Sequence, residues 1–288
     1  MALATMAAPL YQDAIKDVKA RVTKSRSSFH AGMAILPSAR REAMYALYAF
    51  CREVDDIADD GATTETRAAG LQQWRERISD LFRGHPCDTI TSALAPAIPR
   101  FNLVEKDFQD IIDGMAMDAG EPICAPDAAT FDLYCDRVAS AVGRASVRIF
   151  GDDSPEAMEV SYHLGRALQK TNILRDLYED AARGRLYLPA ELLTRYGITT
   201  RAPSEVLAHK NLPLVCGDLA VEAREHFKKA DAAMSLCIPA AMKPARIMRA
   251  YYGAIFERVV ADNWQNISTR ITLPKWQKIW IVLRQLVG

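Results

Sequence analysis

The chain has 288 residues, half of them hydrophobic, and its 36 basic and 36 acidic side chains leave a formal net charge of zero. That hydrophobic content is ample for a large core, and the balanced charge argues against a nucleic-acid-binding surface, which needs a basic excess. Six scattered cysteines without a Cys-x-x-Cys pair and five histidines without ligand spacing exclude a disulfide frame or a zinc site, and they read as buried thiols of a reducing, cytoplasmic compartment.

Met1 to Leu10 has neither the basic start nor the apolar run of a signal peptide, and no stretch reaches the roughly 18 apolar residues that cross a bilayer. Apolar residues then recur at helical spacing almost throughout. Pro37-Ser38 opens a helix that runs through Tyr45 and Tyr48 into Asp55-Asp56-Ile57-Ala58-Asp59-Asp60, with Gly61 placed as a C′ glycine. Thr64 to Phe82 reads as a polar amphipathic helix, Pro96 and Pro99 punctuate the chain, and Asn102 to Met117 forms the next helix. After a Gly120-Glu121-Pro122 break, Asp127 to Ile149 is helical and ends near Gly151. Ser154-Pro155 is a helix start, with serine as N-cap and proline in the first turn. That helix carries Asp176-Leu177-Tyr178-Glu179-Asp180, followed by the basic loop Arg183 to Pro189. Pro213 to Ser235 and Pro239 to Ile267 are two more helices, and no linker or repeat divides the chain. The prediction is one all-α domain, preceded by a segment 1–24 and followed by a tail 271–288.

The two aspartate-rich segments carry the chemistry. Tyr48, Arg52, Asp55 and Asp59 make one stripe at spacings of four, three and four, and Gly165, Gln169, Asn172, Asp176 and Asp180 make another. Both stripes lie in apolar helices, where an uncompensated charge is costly. An arginine precedes each cluster, and Arg175 and Glu179 form a further pair four apart. Two such clusters suggest opposed walls of one cavity that holds hard divalent cations. Two or three Mg²⁺ ions between them would neutralise a diphosphate and turn it into a leaving group, with arginine forks on the remaining oxygens. Loss of diphosphate from an allylic substrate leaves a carbocation, so the cavity wall should be apolar and aromatic, with Phe29, Tyr45, Tyr48, Tyr134, Tyr162, Tyr251 and Tyr252 as candidates.

The segments Tyr-Ala-Phe-Cys-Arg-Glu-Val-Asp-Asp-Ile-Ala-Asp (48–59) and Gln-Lys-Thr-Asn-Ile-Leu-Arg-Asp-Leu-Tyr-Glu-Asp (169–180) resemble the paired motifs of the squalene/phytoene synthases. The resemblance runs from about Ser25 to Arg270 and implies an all-α isoprenoid synthase fold around a central cavity. It implies metal ligands at Asp55, Asp59, Asn172, Asp176 and Asp180. It places Arg52 and Arg175 on diphosphate, and counts Ser28, Phe29 and Arg270 among the substrate-binding positions. Tyr48, Tyr134 and Tyr252 match cavity tyrosines, Gly165 and Gln169 match residues beside them, and Val138 and Gly143 match positions against the prenyl chain. His30 and Ser25 depart from the family pattern, so Lys24 or Arg26 would serve the phosphate pocket differently. The segments 134–143, 146–151 and 273–280 are most similar to the bacterial hopanoid-pathway branch, which joins two farnesyl diphosphates into presqualene diphosphate without NADPH and leaves the product to a squalene-forming enzyme.

Two rival readings keep the fold: a phytoene or dehydrosqualene synthase, which would differ in cavity depth, and a non-catalytic scaffold, which would have lost metal-binding aspartates that are all present here. The tail, with Lys275, Lys278 and Arg284 among Trp276, Ile279, Trp280 and Leu283, reads either as a helix docked on the domain or as a peripheral membrane anchor.

Overall fold

A computed structural model describes residues 8–25, 29–59 and 62–287. Ser28, Arg26 and Gly61 lie outside the described residues, as do the side chains of Ser25, Phe29 and His30. The elements are α1 (Ala8–Ser25), α2 (Phe29–Ala34), α3 (Ser38–Asp59), α4 (Thr64–Phe82), α5 (Thr89–Leu94), α6 (Ala97–Arg100), α7 (Glu105–Ala119), α8 (Ala128–Cys135), a π-helical turn (Asp136–Ser140), α9 (Ala141–Phe150), α10 (Pro155–Arg175), α11 (Leu177–Ala182), α12 (Ala190–Arg195), α13 (Pro203–Leu207), α14 (Leu212–Leu236), α15 (Lys243–Asp262) and α16 (Lys275–Val287). No strand occurs among the described residues, and the all-α expectation holds.

Local signals set most boundaries. Thr63, Asp127 and Ser154 are extended N-caps whose side chains accept the N–H three residues on. Gly151 ends α9 at φ +96°, a left-handed conformation that glycine adopts without strain. Where the structure departs from the predicted spans, a backbone reason is present. The helix expected from Asn102 begins at Glu105, because Asn102 is left-handed and Val104 extended. The helix expected over Pro239–Ile267 spans Lys243–Asp262, starting after a turn at 239–242 and ended by left-handed Asn263 and Trp264. The predicted single helix from Asp127 to Ile149 contains the π turn, and the described part of the N-terminal segment, from Ala8, forms α1, which buries Val18 and Val22 against α3 and α5.

Helix α10 stands at the centre, packed against α8, the π turn, α9, α14 and α15. Close approach there depends on missing side chains. A Cβ on Gly165 would stand 2.7 Å from the Ser140 Cα, and one on Gly114 of α7 would stand 2.8 Å from Val138 Cγ1. The π turn is therefore held between two glycines on neighbouring helices, and π turns widen a helix where a site needs room. The ions buried on α10 are paired. Arg166, 2% exposed, donates two 2.8 Å bonds to Asp132 and further bonds to Asp136 and Ser140 Oγ, and Lys170 reaches Glu222 at 2.5 Å.

Gly165→Val should cost about 1–3 kcal/mol, because added methyls meet Ser140 backbone that cannot recede. Urea unfolding with an unchanged midpoint would show that the two helices are not in close contact there.

Candidate active site

A cavity of about 290 Å³ lies between α2, α3, the π turn with α9, α10 and α15. Tyr48, Val138, Gly143, Gly165, Gln169, Asn172 and Tyr252 all line it. Its wall is apolar as expected and chiefly aliphatic, with Met44, Leu47, Val142, Leu164, Leu168 and Met248 prominent, and of the candidate aromatics Tyr48 and Tyr252 line it. Tyr45 is buried in the core, Tyr162 is exposed beneath Arg166, Tyr251 faces Lys278, and Tyr134 sits elsewhere. Met44, Val147 and Phe150 form the far end. Phe150 is the last residue of α9, and the adjoining Gly151 packs under Arg40 in the first turn of α3.

The aspartates gather at the opposite end, near the C-termini of α3 and α10. Arg52 donates to Asp55 at 2.9 Å and lies 2.6 Å from Asp56. Asp59 receives Arg183 at 2.7 Å and Arg185 at 2.9 Å. Asp176 receives Arg175 at 2.6 and 2.5 Å and Arg270 at 3.0 and 3.1 Å. The helix breaks at Asp176, whose φ of −103° and ψ of 17° end α10, yet Asp176 N–H still donates to Asn172 and Asp180 N–H to Asp176. The break alters side-chain direction: Arg175 pairs with its neighbour Asp176, and the expected Arg175–Glu179 pair is absent, Glu179 lying 3.9 Å from Arg270.

Burial and like charge act on these groups together. Burial, with Asp59, Asp56 and Asp118 nearby and Arg52 opposing, lifts Asp55 to about 6. Burial, then Asp176 and Asp118, lifts Asp180 to about 7 against Arg185 and Arg183. Burial would also lift Asp59 and Asp176, but arginine donors outweigh it and both stay below the ordinary aspartate value. Asp118 raises both Asp55 and Asp180, and Arg185 acts on Asp59, Asp118 and Asp180, so the two clusters face one space.

The sequence marks the loop of Arg183, Arg185 and Tyr187 as basic without giving it a role, and it carries no signal for Asp118. Asp118 is 8% exposed and accepts from Tyr134 Oη at 2.8 Å and Tyr187 Oη at 2.6 Å, the two rings stacked 4.8 Å apart. Burial, and then Asp118, raise both phenols well above their ordinary value. Paired backbone bonds between 123–125 and Leu186 hold this loop extended. Leu186 and Leu188 point into the core, while Arg185 and Tyr187 reach the Asp118 carbonyl and carboxylate. The alternation Arg-Leu-Tyr-Leu was the available signal, hidden because the run is too short to register as a strand.

Among the described residues no three acidic, histidine or cysteine side chains converge as a ready metal group, since arginines take the carboxylates one by one. The donors nevertheless fit hard divalent cations. Asp55, Asp59, Asn172, Asp176 and Asp180 are all oxygen donors, Asp55 and Asp180 resist ionisation without more positive charge, and Asn172 Oδ1 is buried with no hydrogen-bond partner.

The sequence profile of squalene/phytoene synthase matches residues 22–277. A presqualene diphosphate synthase of Rhodopseudomonas palustris is 49% identical over 261 residues, covering 91% of this chain and 93% of the relative. A 15-cis-phytoene synthase of Synechococcus elongatus is 29% identical over 279 residues, covering 92% and 88%. The crystal structure of a dehydrosqualene synthase in complex with ligand superposes with a TM-score of 0.80 at 26% identity, covering 96% of each chain.

Tyr187→Phe removes one donor from a buried carboxylate and should cost about 1–3 kcal/mol of stability. Equilibrium unfolding that matches the unchanged protein would show that the hydroxyl does not serve Asp118.

Proposed function

Because the chain belongs to the squalene/phytoene synthase family, with its isoprenoid synthase fold, we propose that it condenses two farnesyl diphosphates head to head into presqualene diphosphate. The observation that carries this reading is the juxtaposition of a chiefly aliphatic cavity, lined by Cys51 and Asn172, with the aspartates one helical turn beyond them and their arginines. The 49% identity to a presqualene diphosphate synthase favours that product over phytoene, since phytoene synthases match at 29% to 33%.

Asp55, Asp59, Asn172, Asp176 and Asp180 would hold Mg²⁺, which when bound neutralises diphosphate charge and improves it as a leaving group. The arginines divide by exposure. Arg175 and Arg185, each with a side chain 11% exposed, hold fixed donors at the mouth, whereas Arg183 at 58% and Arg270 at 53% can swing from their aspartates onto a diphosphate. The C1–O bond of one substrate breaks, and its electron pair leaves with the diphosphate. The C2–C3 double bond of the second substrate attacks that carbon, which leaves the positive charge on C3 of the second. Loss of a proton from the attacked C1 of the first closes the three-membered ring onto C3, while the second substrate keeps its own diphosphate. The aliphatic wall keeps water from the cation until this happens. Tyr134 and Tyr187 are engaged as neutral donors to Asp118, and in this reading the released diphosphate takes the proton ahead of the cavity-wall tyrosines Tyr48 and Tyr252. No electrons are exchanged with a reductant, so NADPH has no part. From Asp55 to Met44 α3 descends about 16 Å, and Met44 with Phe150 would limit prenyl length at the far end. The free cysteines suit a cytoplasmic location.

Purified protein given Mg²⁺ and farnesyl diphosphate without NADPH should yield a cyclopropyl C30 diphosphate by mass spectrometry. Turnover with geranylgeranyl diphosphate alone, giving a C40 hydrocarbon, would overturn the reading in favour of phytoene. Asp176→Asn should lower kcat about 10²-fold by weakening charge stabilisation of the leaving group, and a near-normal rate would remove Asp176 from that role.

A further inference from the structure

Helix α16 has two faces. Its inner face buries Ile281, sets Lys278 5.6 Å over the Tyr251 ring and takes a 2.8 Å bond from Arg258 to Gln277, so the tail is docked on α15. Its outer face leaves Trp276, Ile279, Trp280 and Leu283 between 54% and 69% exposed. These four recur at spacings of three, one and three, a single stripe on the helix. Lys275 and Arg284 flank it, and no acidic residue occurs in α16.

A second element extends this surface. Leu236 and Ile238, at the end of α14, are 73% and 55% exposed, and Asp152 pins their turn by accepting the Ile238 N–H at 2.8 Å. Between that turn and α16 lies a pocket of about 440 Å³ lined by Ser235, Arg246, Arg249 and Arg284, together with Asp231. Arg249 is tied to Asp231 at 2.7 Å, and Arg284 lies 5.3 Å from the centre of the Trp280 ring. The pocket thus carries three arginines against one aspartate, in a protein of zero net charge, with large apolar side chains on two sides. Exposed tryptophan and leucine beside a basic pocket match a lipid interface, where indole rings sit at headgroup depth and arginines meet lipid phosphates.

We propose that this surface, formed by the outer face of α16, the 236–238 turn and the arginine pocket, docks the protein on an anionic lipid bilayer. Charge complementarity singles out that occupant, since a second copy would bring the same arginines face to face. The surface lies across α15 from the prenyl cavity. Ala245, Met248 and Tyr252 face the cavity, and Arg246, Arg249 and Ala250 face the pocket. One helix therefore separates the bilayer from the space where a hydrophobic chain would lie. The inference stands on the surface itself and does not require the proposed reaction.

The test is partition of the full chain onto large unilamellar vesicles, read by sedimentation and by tryptophan emission. Trp74 and Trp264 are buried, so Trp276 and Trp280 would report contact. Vesicles containing phosphatidylglycerol should bind at least about tenfold more tightly than pure phosphatidylcholine and shift emission to the blue. The double variant Trp276→Ser/Trp280→Ser should lose about tenfold in partition. Arg246→Gln/Arg284→Gln, which leaves the apolar stripe intact, should lose most of the preference for anionic vesicles, about fivefold for each basic side chain. Both variants should keep prenyl transfer in detergent, so failure of docking and failure of the proposed reaction are separable. Equal binding to both vesicle types, unchanged partition in both variants, or a lipid-independent dimer abolished by the tryptophan variant would overturn the proposal.

Discussion

A carboxylate removed from water must be paired with a cation or take up a proton, and the mouth of this protein is arranged around that constraint. Asp59 and Asp176 keep their charge because each has two arginines. Asp55 and Asp180, less well matched, are driven towards the neutral form. An acidic cluster held at this balance has a standing affinity for further positive charge, and Asn172 adds a buried oxygen with no partner of its own. The same arginines are the natural counterions for a diphosphate, so binding one would redistribute existing ion pairs without building new ones from water.

The rest of the architecture supports that mouth and the apolar space beneath it. Gly165 and Gly114 let α10 and α7 close on the π turn, and the turn in turn aims Val138 into the cavity. Arg166 and Lys170 meet Asp132 and Glu222 away from the cavity, so α10 carries buried cations without opening its apolar face to them. Helix α15 divides a hydrophobic interior from an arginine-lined exterior pocket.

Much of this was legible in residue order. The all-α class, the caps at Ser154 and Gly151, and the paired acidic stripes follow from periodicity and local preference, which act over a few residues and need no partner. Of the tail's two readings, the docked helix describes the inner face of α16, while its outer face leaves Trp276, Ile279, Trp280 and Leu283 exposed. Tyr48 and Tyr252 reach the expected cavity wall but other candidate tyrosines do not, because an aromatic residue on a helix carries no label for which neighbour it will meet. Tyr45 went to the core, Tyr162 to Arg166 and Tyr134 to Asp118.

By itself the sequence determined that two acidic helix ends and a long apolar interior exist, since spacing of three and four residues is enough to put side chains on one face. Only the tertiary structure decided which charges neutralise which. Arg183 and Arg185 meet Asp59 across more than a hundred residues, and Tyr134 and Tyr187 meet on Asp118 from separate segments. Such pairings depend on how helices cross and where a loop is pinned, distances set by packing that no local pattern encodes.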